Sequence, residues 1–354
     1  MTLIFIAPST RHPSGGVAMI YEFAATMARR GHTVHLFHID FFQANVTSID
    51  DIGWFSFPSE VIHHFPAPGP IDPDDIPAAD VMFGFRSEEE MSPHAGLPVV
   101  LIQGYKMLGK AREVPAFHAP CPKVCVAGWL VDVGRELGVP DAQLVHVPLG
   151  LRHEKYRLKQ PIANRPPRVT FCYSAHPQKG AALALEVLEH VKNVVPELEL
   201  TIFGAAAPEH ELPPWATYRT DPSQEDLVDE IYNNCRVFLC TSRVEGFGLT
   251  SIEAMACGAA LVTTDNGGAG DYALHDSTAL VAPVGDAETL AAHVVSLLRD
   301  EPRYVRTATA GCEYVKRFDW DRSGELLDAF LERYLAHPAG YGRPAGSLRP
   351  GRIR

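Results

Sequence analysis

Along most of the chain, short apolar runs alternate with stretches in which apolar residues recur at the helical period. The first run, LIFIA (3–7), leads into the loop PSTRHPSGG and then a helical stretch from about Val17 to Arg30, which Gly31 ends. TVHLFHI (33–39) predicts the next strand. Strand, glycine loop, helix, strand is the order of a mononucleotide-binding βαβ unit, parallel and right-handed. VMFGF (81–85), PVVLIQG (98–104), KVCVAG (123–128) and LVHVP (144–148) predict further strands of that sheet, with a helix at GWLVDVGRELG (128–138).

KQPIANRPP (159–167) is polar, carries three prolines, and reads as a linker. A second alternating series follows it. RVTFCYSA (168–175), LELTIFG (198–204), RVFLCT (236–241), ALVTT (260–264) and TALVAP (278–283) predict strands. GAALALEVLEHVKNVV (180–195), SQEDLVDEIYNN (223–234) and DAETLAAHVVSLLRD (286–300) predict helices, and a further helix starts near Leu249. The expected class is therefore α/β, with two Rossmann-like, doubly wound parallel-sheet domains over 1–160 and 168–318. They are expected to face a central cleft into which the carboxyl ends of the strands open. An amphipathic helix is expected over 319–337. The tail 338–354, rich in Pro and Gly with four arginines and no acids, is expected to be disordered.

Composition narrows the function classes. A chain of 354 residues, 46% hydrophobic and 21% charged, suits a globular protein of about two domains. The net charge of -12 argues against nucleic acid or an anionic membrane as partner, because phosphate-rich surfaces need basic ones. In YKMLGKAREVPAFHAPCPK (105–123), Lys106, Lys110, Arg112 and Lys123 either line an acceptor site bearing phosphate or solvate a loop. The seven cysteines lack zinc-finger spacing and read as reduced structural thiols. Among sixteen histidines no H-E-x-x-H occurs, and neither His63-His64 nor the His32/His35/His38 set has a clear carboxylate partner. His12, in the first glycine loop, is the one singled out for catalysis. No apolar stretch approaches the roughly 20 residues of a membrane span, and the N-terminal apolar run is too short for a signal peptide. A cytoplasmic protein is expected, with membrane contact at most peripheral.

Three loops stand where the cleft would open. SGGV (14–17) sets Gly15 and Gly16 before the first helix, where backbone amides approach closely and a helix N-terminus favours negative charge. SAHPQKG (174–180) sets Lys179 before a helix, either solvated or bonding a phosphate with roughly 1.5–3 kcal/mol. In VEGFGLTSIEA (244–254), Glu245, Gly246, Phe247 and Gly248 precede a helix start at Leu249–Thr250, whose amides suit a diphosphate. Carboxylates repel phosphate but accept from hydroxyls, so Glu245 and Glu253 suit the sugar rings beside it. A capping box, with Thr250 as N-cap and Glu253 reaching back, explains Glu253 without any ligand. It leaves Glu245 and both glycines unexplained.

This stretch resembles the E-x7-E signature of the retaining, nucleotide-sugar-dependent glycosyltransferases with the GT-B fold, glycosyltransferase family 4. The resemblance continues through MACGAALVTTDNGGAGDYALHDSTALVAPVGDAETLAAHV. GGVAMIYEFAATMARRGHTVHLF and VHVPLGLRHEKYR are similar to the family's first glycine loop and to its pre-linker segment. It implies that Gly16 approaches the donor phosphate or sugar and that Lys179 contacts the diphosphate. By the same resemblance Glu245 holds donor-sugar hydroxyls, the Leu249 and Thr250 amides hold phosphate, and Glu253 holds the ribose. It also implies that the helix over 319–337 packs back on the first domain. Two departures stand out. Many members carry an arginine five residues before the lysine, where this chain has Ser174, leaving His176, Arg243 or a bound cation as substitutes. Many also place a histidine near the sugar, where LIQGYKMLG offers Gln103 and Tyr105. That pattern is similar to rhamnosyltransferase-like members and leans towards a deoxysugar donor.

The implied reaction moves a sugar from a nucleotide-diphosphate donor to a hydroxyl of a glycan, lipid-linked glycan or small molecule, with retained configuration. Glu245, Gln103 and His12 are its catalytic candidates. No cofactor and no metal are expected, because no Asp-x-Asp pair is placed for a diphosphate-bound cation. The alternatives are an epimerase or pseudo-glycosyltransferase on the same fold, and a non-catalytic donor-binding subunit that activates another transferase. A nicotinamide oxidoreductase is disfavoured by the lack of GxGxxG after either leading strand.

Overall fold

The computed structural model describes residues 1–69, 71–85, 96–106 and 110–342. The chain forms two compact units, Met1–Gly150 together with Trp320–Arg354, and Leu151–Asp319.

In the first unit, β1 (Thr2–Pro8), α1 (Gly15–Arg29), β2 (Thr33–Ile39), β3 (Val61–His64), β4 (Val81–Gly84) and β5 (Leu97–Ile102) are followed by α2 (Lys110–His118), β6 (Lys123–Cys125), α3 (Gly128–Glu136) and β7 (Leu144–His146). The seven strands form one parallel sheet in the order β3-β2-β1-β4-β5-β6-β7. β1 lies at its centre and is buried almost throughout, which is why LIFIA shows no polar alternation. Phe5 stacks on Phe83 of β4 at 4.4 Å.

The second unit contains β8 (Arg168–Cys172), α4 (Ala181–Val194), β9 (Glu199–Gly204), β10 (Ala216–Thr220), α5 (Gln224–Asp226), β11 (Val237–Cys240), α6 (Leu249–Ala256), β12 (Ala260–Thr264), β13 (Ala279–Ala282), α7 (Ala287–Arg299) and α8 (Glu301–Val315). Its six strands are again all parallel, in the order β10-β9-β8-β11-β12-β13. The strand order reverses between β8 and β11. In such a sheet that switch point is where the loops at the strand carboxyl ends diverge and leave a crevice for a ligand.

The last helix, α9 (Trp320–Ala336), belongs to the first unit. Trp320 meets Phe23 edge-on at 5.2 Å, and Asp328 pairs with Arg30 at 2.6 Å and His32 at 2.7 Å. His32 therefore does have a carboxylate partner, contrary to expectation. His35 and His38 instead meet histidines of the neighbouring β3. His35 Nδ1 lies 2.9 Å from His64 Nε2, and His38 Nε2 lies 2.9 Å from His63 Nδ1. Among the described residues no group of three or more His, Cys, Asp or Glu is placed to hold a metal ion.

Several elements differ from expectation, each for a local reason. The edge strands β3 and β10 are short and polar, and α2 and α8 replace stretches with no clear apolar period. SQEDLVDEIYNN is not one regular helix: α5 runs on as a π turn (Leu227–Ile231) and a 3-10 turn (Tyr232–Asn234). The Asn233 and Asn234 amides donate to the Val228 and Asp229 carbonyls at 3.0 and 2.8 Å, taking acceptors from the helical ladder. Residues 159–167 are not a loose linker, and the division between units falls instead at Gly150/Leu151. The buried Arg165 guanidinium donates to the carbonyls of Cys235 and Cys257 at 2.8 Å, and the Asn233 side chain accepts from the Lys159 amide at 2.6 Å. The start of the tail is ordered too, since a 3-10 turn (Pro338–Tyr341) lays Tyr341 against Tyr334 at 5.1 Å. The rest of the expected disordered tail, 343–354, lies outside the described residues.

Candidate active site

The loops after β8 and β11 are tied together at the switch point. The Arg243 amide donates to the Gln178 carbonyl at 2.7 Å, and the Thr241 hydroxyl donates to the Gly180 carbonyl at 2.8 Å. Gly180 sits at φ +70, and a Cβ there would stand 2.2 Å from the Thr241 carbonyl oxygen. Only glycine allows the two loops to approach so closely.

This closeness brings Lys179 to Glu245. Its Nζ lies 2.8 Å from both carboxylate oxygens. Burial works against the lysine's charge, but the charge and hydrogen bonds of Glu245 outweigh it, so its pKa rises and the ammonium persists at neutral pH. Glu245 is fixed from several sides. Its amide donates to the Asn266 carbonyl at 2.9 Å, its own carbonyl accepts from Gly268, and the Ser242 hydroxyl donates to Oε1 at 2.7 Å. It thus has structural partners that its sequence context did not suggest.

Beyond Gly246, Phe247 is buried against Phe318 at 5.4 Å and Tyr272 at 5.7 Å. Gly248, at φ +101, is the N-cap of α6. The predicted capping box is absent, because the helix starts one residue before Thr250 and no side chain caps it. The first bond of the turn runs from the Ser251 amide to the Gly248 carbonyl at 3.0 Å, leaving the Leu249 and Thr250 amides ahead of it. A helix N-terminus of this kind favours an anion. Glu253 does not reach back to that terminus. Its carboxyl accepts from Tyr232 Oη at 3.0 Å and also bonds the Tyr156 hydroxyl. The Cys172 thiol at the end of β8 is within the electrostatic reach of Lys179, Glu245 and Glu253, although burial is the main cause of its raised pKa.

At Ser174, where the resemblance leads us to expect an arginine, the hydroxyl accepts from the His176 amide at 3.2 Å. His176 and Arg243 are exposed beside Lys179 and Glu245. In the first unit, α1 begins at Gly15, so Gly15 and Gly16 form its first turn, and His12 is exposed just before it. Gln103, just past β5, comes close to Gly16, where a Cβ would meet its Oε1 at 2.7 Å. The sequence separated these two by most of a domain, and the fold joins them. Lys123 belongs to no acceptor surface, because it is fully buried and donates to Gln143 Oε1 at 2.7 Å. The side chains of Lys110 and Arg112 lie outside the described residues. Ser242, Tyr156 and Tyr232 escaped the sequence reading. Only Ser242, three residues before Glu245, lay near enough in sequence to be noticed.

The seven cysteines are thiols, and no helix among the described residues is long and apolar enough to cross a membrane. Residues 152–313 match the family described as Glycosyl transferases group 1. A probable sucrose-phosphate synthase 5 of Oryza sativa is 36% identical over 103 residues, 29% of this chain and 10% of that protein. The curated relatives that the chain matches are spanned over 10% to 57% of their length. Among solved structures, sucrose-phosphate synthase from Thermosynechococcus elongatus superposes with a TM-score of 0.72 at 16% identity, covering 95% of this chain and 100% of that one. Anabaena HepE in complex with UDP-glucose gives 0.69 at 15% identity, covering 94% and 100%. At such identity these structures speak for the fold alone, which is GT-B. Both units thus carry that fold, and the second, over residues 152–313, is similar to the glycosyl transferases group 1.

Proposed function

We propose that the protein transfers a sugar from a nucleoside-diphosphate-sugar donor to an acceptor hydroxyl with retention at the anomeric carbon. The observation that carries this reading is the Lys179–Glu245 pair at the switch point of the second unit, beside the N-terminus of α6. A diphosphate and a polyhydroxylated ring need a cation with free amides on one side and a carboxylate on the other. In this reading the Lys179 ammonium and the Leu249 and Thr250 amides stabilise the diphosphate as the glycosidic bond breaks. Glu245 accepts from the sugar's hydroxyls and Glu253 from the ribose. The acceptor oxygen bonds to the anomeric carbon from the face the diphosphate leaves, and the acceptor's proton passes to the departing phosphate oxygen. Glu245 acts here by positioning and forms no covalent intermediate. In the first unit, Gly16, Gln103 and His12 are the residues proposed to contact sugar or acceptor. The resemblance to rhamnosyltransferase-like members at Gln103 supports a deoxyhexose donor, and no metal is invoked.

The test is thermal stabilisation by uridine, guanosine, thymidine and adenosine diphosphates and their sugars. A ligand at about one hundred times its Kd adds about 2.7 kcal/mol. Stabilisation by one base series is expected, and none by any of them removes the donor site. Turnover by the purified chain with an acceptor panel, and the anomeric signal of the product, separate a retaining transferase from a non-catalytic partner subunit.

A further inference from the structure

The Glu253 carboxyl is held by side chains that no motif includes. Besides the Tyr232 and Tyr156 hydroxyls, the chain of bonds extends outwards. Gln224 Nε2 donates to Tyr156 Oη at 2.9 Å, and Lys155 Nζ donates to Gln224 Oε1 at 2.8 Å. A hydroxyl that accepts from an amide is polarised to donate its own proton, so Tyr156 is committed towards the carboxyl. Tyr232 is fully buried, with Phe203 at 5.7 Å and Phe238 at 5.9 Å, and Tyr156 is 7% exposed. Neither ring can swing away without stranding a buried hydroxyl.

An ionised carboxylate has about four acceptor positions. Two tyrosines use two of these, leaving as many as a vicinal diol presents. We propose that Tyr156 and Tyr232 are positioning residues that aim Glu253 at both hydroxyls of the donor's ribose, and so set a preference for ribonucleotides over 2′-deoxyribonucleotides. This rests on the ribose role proposed for Glu253.

The same hydroxyls govern its charge. Burial pushes the Glu253 pKa up to about 7, while the bonds from Tyr232 and Tyr156 pull it down. The titratable groups facing it are those two tyrosines, Cys172 at the end of β8 and Cys257 just past α6. Burial raises the pKa of all four, so all are neutral at pH 7. Ribose hydroxyls favour the carboxylate, so nucleotide binding displaces a proton wherever Glu253 carries one.

The test titrates UDP against 2′-deoxy-UDP, and GDP against 2′-deoxy-GDP, into the full chain by calorimetry at several pH values around 7. The wild type should prefer the ribo form by about tenfold, the effect of one lost hydrogen bond, and weaken as pH falls. Tyr156→Phe and Tyr232→Phe keep the rings. Each should cut that preference at least threefold and move the acid limb to higher pH, while Glu253→Gln removes both effects. Preference and acid limb unchanged in the Phe variants, but lost in Glu253→Gln, would overturn the positioning role and leave the donor reading standing. Both effects surviving in Glu253→Gln would instead overturn the ribose role itself. If Tyr232→Phe does not fold, Tyr156→Phe decides the matter alone.

Discussion

The Lys179–Glu245 pair can be tested as a pair. At 2.8 Å and an effective dielectric of about 20, the gross attraction is about 6 kcal/mol. Withdrawing each ion from water opposes it by several kcal/mol. The side chains are 32% and 11% exposed, so the pair stands between surface bridges, at about 0.2–1 kcal/mol, and buried ones whose breaking costs about 3–5 kcal/mol. A coupling of about 1.5 kcal/mol follows from that intermediate position. Lys179→Met, Glu245→Gln and the double variant would be compared with wild type by urea unfolding of the full chain at neutral pH and low salt. Both changes lie in one unit, so contributions from the other cancel in the cycle. Each single change should lower stability by about 2 kcal/mol and the double by only about 2.5, because it leaves no charge unpaired. Nucleotide binding should split the singles. Lys179→Met loses about 10–100-fold in nucleoside-diphosphate affinity, whereas Glu245→Gln loses affinity only for the sugar-bearing form. Effects on stability that add within about 0.5 kcal/mol, or a Glu245→Gln loss equal for both ligands, would refute the reasoning.

Two further outcomes are expected. Burial, followed by the charges of His63 and His64, lowers the His38 pKa from 6.5 to about 3, so its stability contribution is fully present above pH 6.5 and drains away as pH falls towards 3. His38 alone should remove about 2 kcal/mol by pH 5, at about 1.4 kcal/mol per pH unit, and a slope unchanged in His38→Phe would place the sensitivity elsewhere. Gly180→Ala should destabilise by about 2–4 kcal/mol, from the left-handed backbone and the collision with the Thr241 carbonyl, and weaken nucleotide binding by displacing Lys179. A variant with wild-type melting temperature and affinity would show that the two loops separate easily.

Much of this molecule could be read before its folding was seen, because parallel strands buried on both faces leave uninterrupted apolar runs. LIFIA, TVHLFHI and ALVTT all became strands within a residue of their expected limits. The edge strands VIHH and ATYRT were missed because an edge needs little apolar surface. Lys179 and the E-x7-E glutamates were visible because their setting is local, a loop running into a helix. What anchors those glutamates was invisible, since Ser242 looks like any loop serine and Tyr156 and Tyr232 reach Glu253 only through the tertiary fold. KQPIANRPP misled for the opposite reason. Its composition is that of a linker, but one arginine sinks into carbonyls that the rest of the unit leaves open.

The return of α9 to the first unit has a consequence for how the protein comes into being. The bond between Arg30 and Asp328 joins positions 298 residues apart, and that between Tyr334 and Pro98 spans 236. During synthesis the whole of Leu151–Asp319 emerges before the helix that completes the earlier unit, so the second unit can mature while the first still waits with Phe23 uncovered. The half made first is the half finished last, because the first unit is completed only by a helix that follows the whole of the second.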